Sequence, residues 1–263
     1  MEKMKIAMCL SGQVRTWKYC YQNWIDNLTP IGEVDYFCHF WDYNSVPNGA
    51  KKGYAVVPDD VLLSAEEKQS IIDMLTPKII EFESKKIELS TTQSDTWYSK
   101  RIKNKLLSLQ RNQFYSLMKS ASLKRQYELE NNFEYDVVIR MRPDSIFTSI
   151  PNIEKTKPNI LYALHRNFAP HMDRFSIGDV CFHCDSFTFD QISWFINMIR
   201  LTDQLDVVDV SCQIAPEIAF YYYIKSIGIT LSASEINPKV VVTADSMARK
   251  GFLQANEILN TSI

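Results

Sequence analysis

Glycine is scarce: seven residues in 263, scattered from Gly12 to Gly251. No GxGxxG and no GxxxxGK(S/T) can be written anywhere. The dinucleotide fingerprint and the P-loop are therefore excluded, because both use glycine to bring backbone against phosphates. An excess of one charge is also lacking, with 29 Lys and Arg against 31 Asp and Glu for a net −2. A dedicated nucleic-acid binder would carry a strongly basic domain, so no nucleic-acid partner is expected. Long apolar runs are missing too; none approaches the roughly 18–20 residues of a membrane span. The apolar stretch within residues 1–10 is too short for a signal peptide and runs into Ser11-Gly12-Gln13-Val14-Arg15. GxSxG, HExxH and kinase signatures do not occur, which leaves hydrolase triads and zincin chemistry without support.

What is present is ordinary globular material, 46% hydrophobic, 12% aromatic and 23% charged. The length allows one large α/β domain or two small ones. The six cysteines (9, 20, 38, 181, 184 and 212) lie mostly inside apolar runs. Without a signal segment, that reads as reduced thiols of a cytoplasmic core.

Short apolar runs predict strands over residues 5–10, 34–40, 78–82, 135–140, 160–164, 180–184 and 229–231. Thr16 is placed to cap a helix through Trp17, Tyr21, Trp24 and Leu28, stopped near Pro30. Ser64 opens another with acids in its first turn. A long helix is expected over 98–131, and others over 187–201 and 216–227. Residues 45–53 read as turn, and the last twenty as a loosely attached helical tail. Strands alternating with helices predict a largely parallel sheet covered on both faces. One domain is expected, in two halves (1–135 and 136–240) followed by a tail (241–263).

In such sheets ligands sit beyond the carboxyl ends of the strands. Three exits carry unusual polar residues: Ser11-Gly12-Gln13-Val14-Arg15, His39-Phe40-Trp41-Asp42 and Arg140-Met141-Arg142-Pro143-Asp144. Strand geometry puts Arg140 and Arg142 on one face, opposite Val137, Ile139 and Met141. A guanidinium on a central strand is costly unless something anionic meets it. Either phosphates do so bidentately, with Asp144 holding a divalent ion against them, or Asp136, Asp179 or Glu217 forms structural ion pairs with these arginines.

The order of three segments is similar to a group of bacterial and viral glycosyltransferases of the GT-A fold. These act in capsule, lipopolysaccharide or virus-encoded glycan synthesis. The segments are Ile6-Ala7-Met8-Cys9-Leu10-Ser11-Gly12-Gln13-Val14-Arg15-Thr16-Trp17, Val34-Asp35-Tyr36-Phe37-Cys38-His39-Phe40-Trp41-Asp42 and Tyr135-Asp136-Val137-Val138-Ile139-Arg140-Met141-Arg142-Pro143-Asp144. The same group shows a later segment like Asp173-Arg174-Phe175-Ser176-Ile177-Gly178-Asp179 and an acid on a following helix, like Pro216-Glu217. The matches span roughly residues 4–228.

The resemblance implies a nucleotide-sugar donor at the first-strand exit, transferring a hexosyl or deoxyhexosyl group to a glycan or lipid-linked acceptor. Ser11, Gly12, Gln13 and Arg15 would face the nucleotide and diphosphate, with His39, Trp41, Arg140 and Arg142 beside them. Asp144 falls at the last position of the DxD motif that holds Mn²⁺ or Mg²⁺ in GT-A enzymes. Arg142 stands where the first Asp of that motif would be. If configuration inverts, a base must take the acceptor proton, and Asp179 and Glu217, with Asp173 behind them, are the candidates. Glu217 also suits a helix first turn for purely structural reasons.

Two other features invite different readings. Cys181-Phe182-His183-Cys184 is a CxxC, with His165 and His171 as the only nearby histidines; it suggests zinc, redox chemistry or two core thiols on opposite strand faces. Residues 100–125 hold eight Lys and Arg and no acid. They are either a solvated face or a peripheral docking face for the inner side of a membrane. A non-catalytic nucleotide-sugar or carbohydrate-binding domain of the same fold is the alternative to the transferase.

Overall fold

Apolar alternation along the strands is answered by a seven-stranded sheet with a separate core on each face. The structure is a computed structural model describing residues 3–46, 59–84, 100–149, 153, 156–169, 174–197, 216–234, 236, 238–242 and 253–254. At the centre, β1 (Met4–Gly12) pairs in parallel with β2 (Gly32–Trp41) and β6 (Val137–Met141). Beyond β2 lies β5 (Ile79–Glu83), also parallel. On the other flank β9 (Arg174–Cys184) runs antiparallel to β6 and to β8 (Ile160–Ala169). An edge strand, β10 (Thr230–Ala233), lies parallel to β8. The order is therefore β10-β8-β9-β6-β1-β2-β5, an α/β architecture with one reversed strand.

Ile6, Met8 and Leu10 of β1 enter one core with Trp24 and Leu28 of α1 (Tyr21–Leu28) and Ile71 and Leu75 of α2 (Ala65–Leu75). Ala7 and Cys9 enter the other with Phe114, Leu117 and Ala121 of α3 (Lys100–Asn131), joined by α4 (Ser186–Ser193) and α5 (Pro216–Ser226). Period-two alternation puts apolar residues on both faces of β1, as a sheet covered on both sides requires. The helix starts follow local chemistry. Ser64 and Glu67 form a reciprocal capping box on α2, and the Asp185 carboxylate accepts from the Thr188 N–H to cap α4.

Several expectations are corrected. Thr16 caps no helix: the chain makes a 3₁₀ turn (Trp17–Tyr19) before α1, and the Thr16 hydroxyl donates instead to the Val241 carbonyl at 2.9 Å. The first two residues of the turn-like segment, Ser45 and Val46, belong to β3 (Tyr43–Val46), which pairs antiparallel with β4 (Asp59–Leu62); residues 47–53 lie outside the described set. A further sheet joins β7 (Ser145–Phe147), β11 (Pro238–Val242) and β12 (Leu253–Gln254), so the two described tail residues are strand, not helix.

The CxxC is two core thiols. Cys181 packs in the first core and Cys184 in the second, on opposite faces of β9. Burial pushes the Cys181 thiol up to about 12 and that of Cys184 well above its ordinary value. No shared metal or disulfide suits that arrangement. Cys212 and His171 lie outside the described residues.

Of the eight basic residues within 100–125, the three with described side chains are all in ion pairs. Lys119 pairs with Glu81 at 2.9 Å, and Arg125 with Glu134 at 3.1 Å. Lys124 is fully buried, 3.0 Å from Glu128 and 2.8 Å from Asp190. Side chains of residues 100–111 lie outside the described set. Among the described residues no helix is long and apolar enough to cross a membrane.

His183, stacked on Tyr162 and 6% exposed, gives a pH prediction. Burial lowers its pKa from 6.5 to about 4. Between those values the unfolded chain binds the proton and the folded chain does not, so protons favour unfolding. Stability from this group is complete above pH 6.5 and is lost as pH falls toward 4, by about 3 kcal/mol. Urea unfolding of the protein and of His183→Asn across that window should show the variant losing this part of the pH dependence. Identical profiles would refute it.

Candidate functional site

The chain spreads outward from β1 in two directions: β2 and β5 follow on one side, β6 on the other. That reversal makes a topological switch point at the carboxyl ends of β1 and β6, where open α/β sheets leave a crevice for ligands.

The exit of β1 has unusual backbone geometry. Gly12 has φ +121°, and a Cβ there would meet no atom within 4 Å, so dihedral rather than crowding demands glycine. Arg15 follows at φ +39°. A non-glycine residue held left-handed at a strand exit needs anchoring. The Arg15 N–H donates to Asn44 Oδ1 at 2.9 Å and Nε donates to Gln13 Oε1 at 3.0 Å. Its Nη1 donates to Asp144 Oδ2 at 3.1 Å.

The exit of β6 supplies the rest. Arg142 Nε donates to Asp144 Oδ1 at 2.9 Å and Nη2 to Oδ2 at 2.7 Å, a two-point fork. Backbone contacts hold each end. The Arg142 N–H donates to the Val180 carbonyl on β9 at 3.0 Å, and the Asp144 carbonyl accepts from the Val241 N–H at 2.7 Å. The carboxylate is 3% exposed, whereas the Arg142 and Arg15 side chains are 25% and 44% exposed. Burial alone would push the Asp144 carboxyl up; the guanidiniums of Arg142 and then Arg15 outweigh it and hold the group below its ordinary value. Of the expected structural partners, Asp136 accepts from the Lys5 N–H at 2.9 Å, and the side chains of Asp179 and Glu217 lie outside the described set.

Three buried oxygens near these exits have no hydrogen-bond partner among the described residues: Ser11 Oγ at the end of β1, Asp42 Oδ1 just past β2 and Ser145 Oγ directly after Asp144. A buried polar atom without a partner calls for a ligand or a water.

The structure therefore brings Ser11, Gly12, Gln13, Arg15, Arg142 and Asp144 to one edge. It takes His39 and Trp41 away from that set. His39 is fully buried, its Nδ1 2.8 Å from Ser116 Oγ and its Nε2 2.9 Å from Glu83 Oε2. Burial lowers its pKa despite the hydrogen bond and charge of Glu83. Trp41 is 2% exposed and stacked on Tyr115. Arg140 is buried on the α3 face beside Gln113, Phe114, Leu117 and Phe182, with no room for a ligand between them.

Asp179 lies in β9 next to Val180, whose carbonyl holds Arg142; its side chain and that of Glu217, in the first turn of α5, are outside the described set. Asp173 lies outside the described residues. Asn44, Thr16 and Val241 are site-shaping residues that the sequence reading missed. Val241 gives no signal, being one valine in an apolar run more than two hundred residues from the loop it latches.

Asp144 does not fit a divalent metal. Its two oxygens already accept three guanidinium hydrogen bonds, and position 142 presents a cation where a second carboxylate would be needed. Among the described residues, only His39, Glu81 and Glu83 gather three ligating groups, within 4.8 Å of one another. That cluster carries its own cation in Lys119, 2.9 Å from Glu81, and Tyr115 donates to Glu83 at 3.1 Å. Compared with known proteins, the chain matches no family model and no curated sequence.

Proposed function

We propose that this chain is a cytoplasmic GT-A-like glycosyltransferase that moves a sugar from a nucleotide-sugar donor to a glycan or lipid-linked acceptor. The observation that carries the reading is the pair of guanidiniums, Arg15 and Arg142, gathered on Asp144 at the switch-point edge. A pair of partly exposed arginines there suits a diphosphate, and Ser11 Oγ and Asp42 Oδ1 offer unmet hydrogen-bonding capacity to a nucleoside.

In the transfer, the bond between the sugar anomeric carbon and the diphosphate oxygen breaks, and its electron pair leaves with the diphosphate. The acceptor hydroxyl oxygen bonds to the anomeric carbon, and its proton passes to a base. Asp179 is the first candidate because β9 runs alongside Arg142; Glu217 and Asp173 follow. Arg15 and Arg142 stabilise the departing charge, the step at which fixed electrostatics contribute most.

The non-catalytic binding domain is the second reading, favoured by the engagement of Asp144 with arginines rather than with a second acid. Incubation with uridine, guanosine, thymidine and cytidine diphosphate sugars, without acceptor, separates the two. A transferase slowly releases the nucleoside diphosphate from one donor. Binding without release would establish the second reading, and no binding would refute both.

A further inference from the structure

Resting on the transferase reading, the geometry points to a donor site that holds its diphosphate on Arg15 and Arg142 without a divalent metal. In it Asp144 positions the two guanidiniums rather than ligating a cation.

The charge arithmetic is the first support. Among the described contacts two guanidiniums stand on the single Asp144 carboxylate, so protein cations already occupy the place of a hydrated ion. Geometry is the second. A small divalent ion takes oxygen ligands at about 2.0–2.1 Å and tolerates little distortion. At this edge the ion would approach a carboxylate whose oxygens lie 2.7–3.1 Å from two guanidiniums. It would gain one acid and meet two like charges.

The same contacts suit the alternative. Asp144 takes the Nε and Nη2 hydrogens of Arg142 in a fork, which fixes the plane of that guanidinium. Arg15 uses Nε on Gln13 and one Nη1 hydrogen on Asp144, leaving three of its five donors for another partner among the described residues. At 44% exposure, the Arg15 side chain is accessible to one. Phosphate oxygens take such donors in pairs, and arginine keeps its charge at every working pH. On transfer, the electron pair of the broken bond goes to the diphosphate oxygen, and these arginines carry the charge balance that a metal would otherwise provide.

The test is calorimetric titration with uridine, guanosine, cytidine and thymidine diphosphates, each in EDTA and in manganese. One nucleotide should bind equally well in either buffer and more weakly as salt rises. Arg142→Ala should weaken it about 10- to 100-fold, the usual cost of a charged hydrogen bond, and Arg142→Lys should recover only part because the fork is gone. Asp144→Asn should change affinity by the same factor with and without manganese, since its role is to orient the arginines. Circular dichroism of each variant separates this from misfolding. Tightening by manganese that disappears in Asp144→Asn would overturn the metal-free site and leave the transferase standing. Failure of every diphosphate in both buffers overturns the transferase reading, and this inference with it.

Discussion

Replacing Arg142 by alanine should lower kcat/KM for the proposed sugar transfer by about 10²- to 10³-fold, the range for removing one fixed donor from developing negative charge. The loss should fall mainly on kcat. The diphosphate gains charge as the glycosidic bond breaks, so the guanidinium interacts more strongly with the transition state than with the bound donor. Lysine at this position keeps a charge but cannot make the two-point contact with Asp144, so it should restore a minor part. Arg142 is a quarter exposed, and its removal leaves no cavity in either core. Its loss does leave the buried Asp144 carboxylate with only Arg15 of its two guanidiniums, so the thermal midpoint should fall as well, and activity is compared at a temperature where the variant is folded. Steady-state kinetics beside a melting curve decide it: unchanged kcat/KM in a folded variant would remove Arg142 from the chemistry.

The largest effect on stability belongs to Lys124. Its ammonium is fully buried between α3 and α4, paired with Glu128 and Asp190 and donating to the Ser186 hydroxyl. Glu128 is equally enclosed, and it also accepts from the Tyr135 N–H at 3.0 Å and the Ser186 hydroxyl at 2.6 Å. Lys124→Met removes the buried partner of that carboxylate and leaves it only the half-exposed Arg125 at 3.4 Å, a change that costs about 3–5 kcal/mol. In a chain of this length the midpoint should drop by on the order of 10 °C. Adding Glu128→Gln should return much of the loss, because the buried charge goes with its partner. Burial already holds the Asp190 carboxyl above its ordinary value with Lys124 opposing. Without Lys124 it rises further, so the deficit should shrink as pH falls and Asp190 takes a proton. A double variant no better than the single one would contradict this account.

The strands of the central sheet were legible because each is a short apolar run bounded by polar or turn-forming residues. The run from Tyr135 to Arg140 announced β6, and the acidic start after Ser64 announced α2. The direction of β9 was not legible, since alternation along a strand is the same whichever way it runs. The small strands β3, β4, β7 and β11 are too short to rise above turn composition. The sequence placed Arg142 and Asp144 at one exit and Arg15 at another. It could not show that these groups would meet one another, because Arg142 and Asp144 flank a proline and pairing across it depends on side-chain rotation. His39 was misread for a related reason. A histidine at a strand end looks the same whether it faces a crevice or a helix, and Ser116 and Tyr115 of α3 enclose it.

The latch at Val241 bears on when in the life of the chain this edge becomes competent. Its N–H holds the Asp144 carbonyl and its carbonyl accepts from the Thr16 hydroxyl, while β11 pairs with β7 from Pro238 to Val240. During synthesis, the seven-stranded sheet has all its strands once residue 233 is free, yet the Thr16 and Asp144 loops still lack their shared clasp. Donor binding should therefore switch on late, in a nascent chain only after the residues around Val241 have emerged. An incomplete polypeptide on the ribosome would then be folded through its central sheet but without the clasped edge on which the proposed donor site rests.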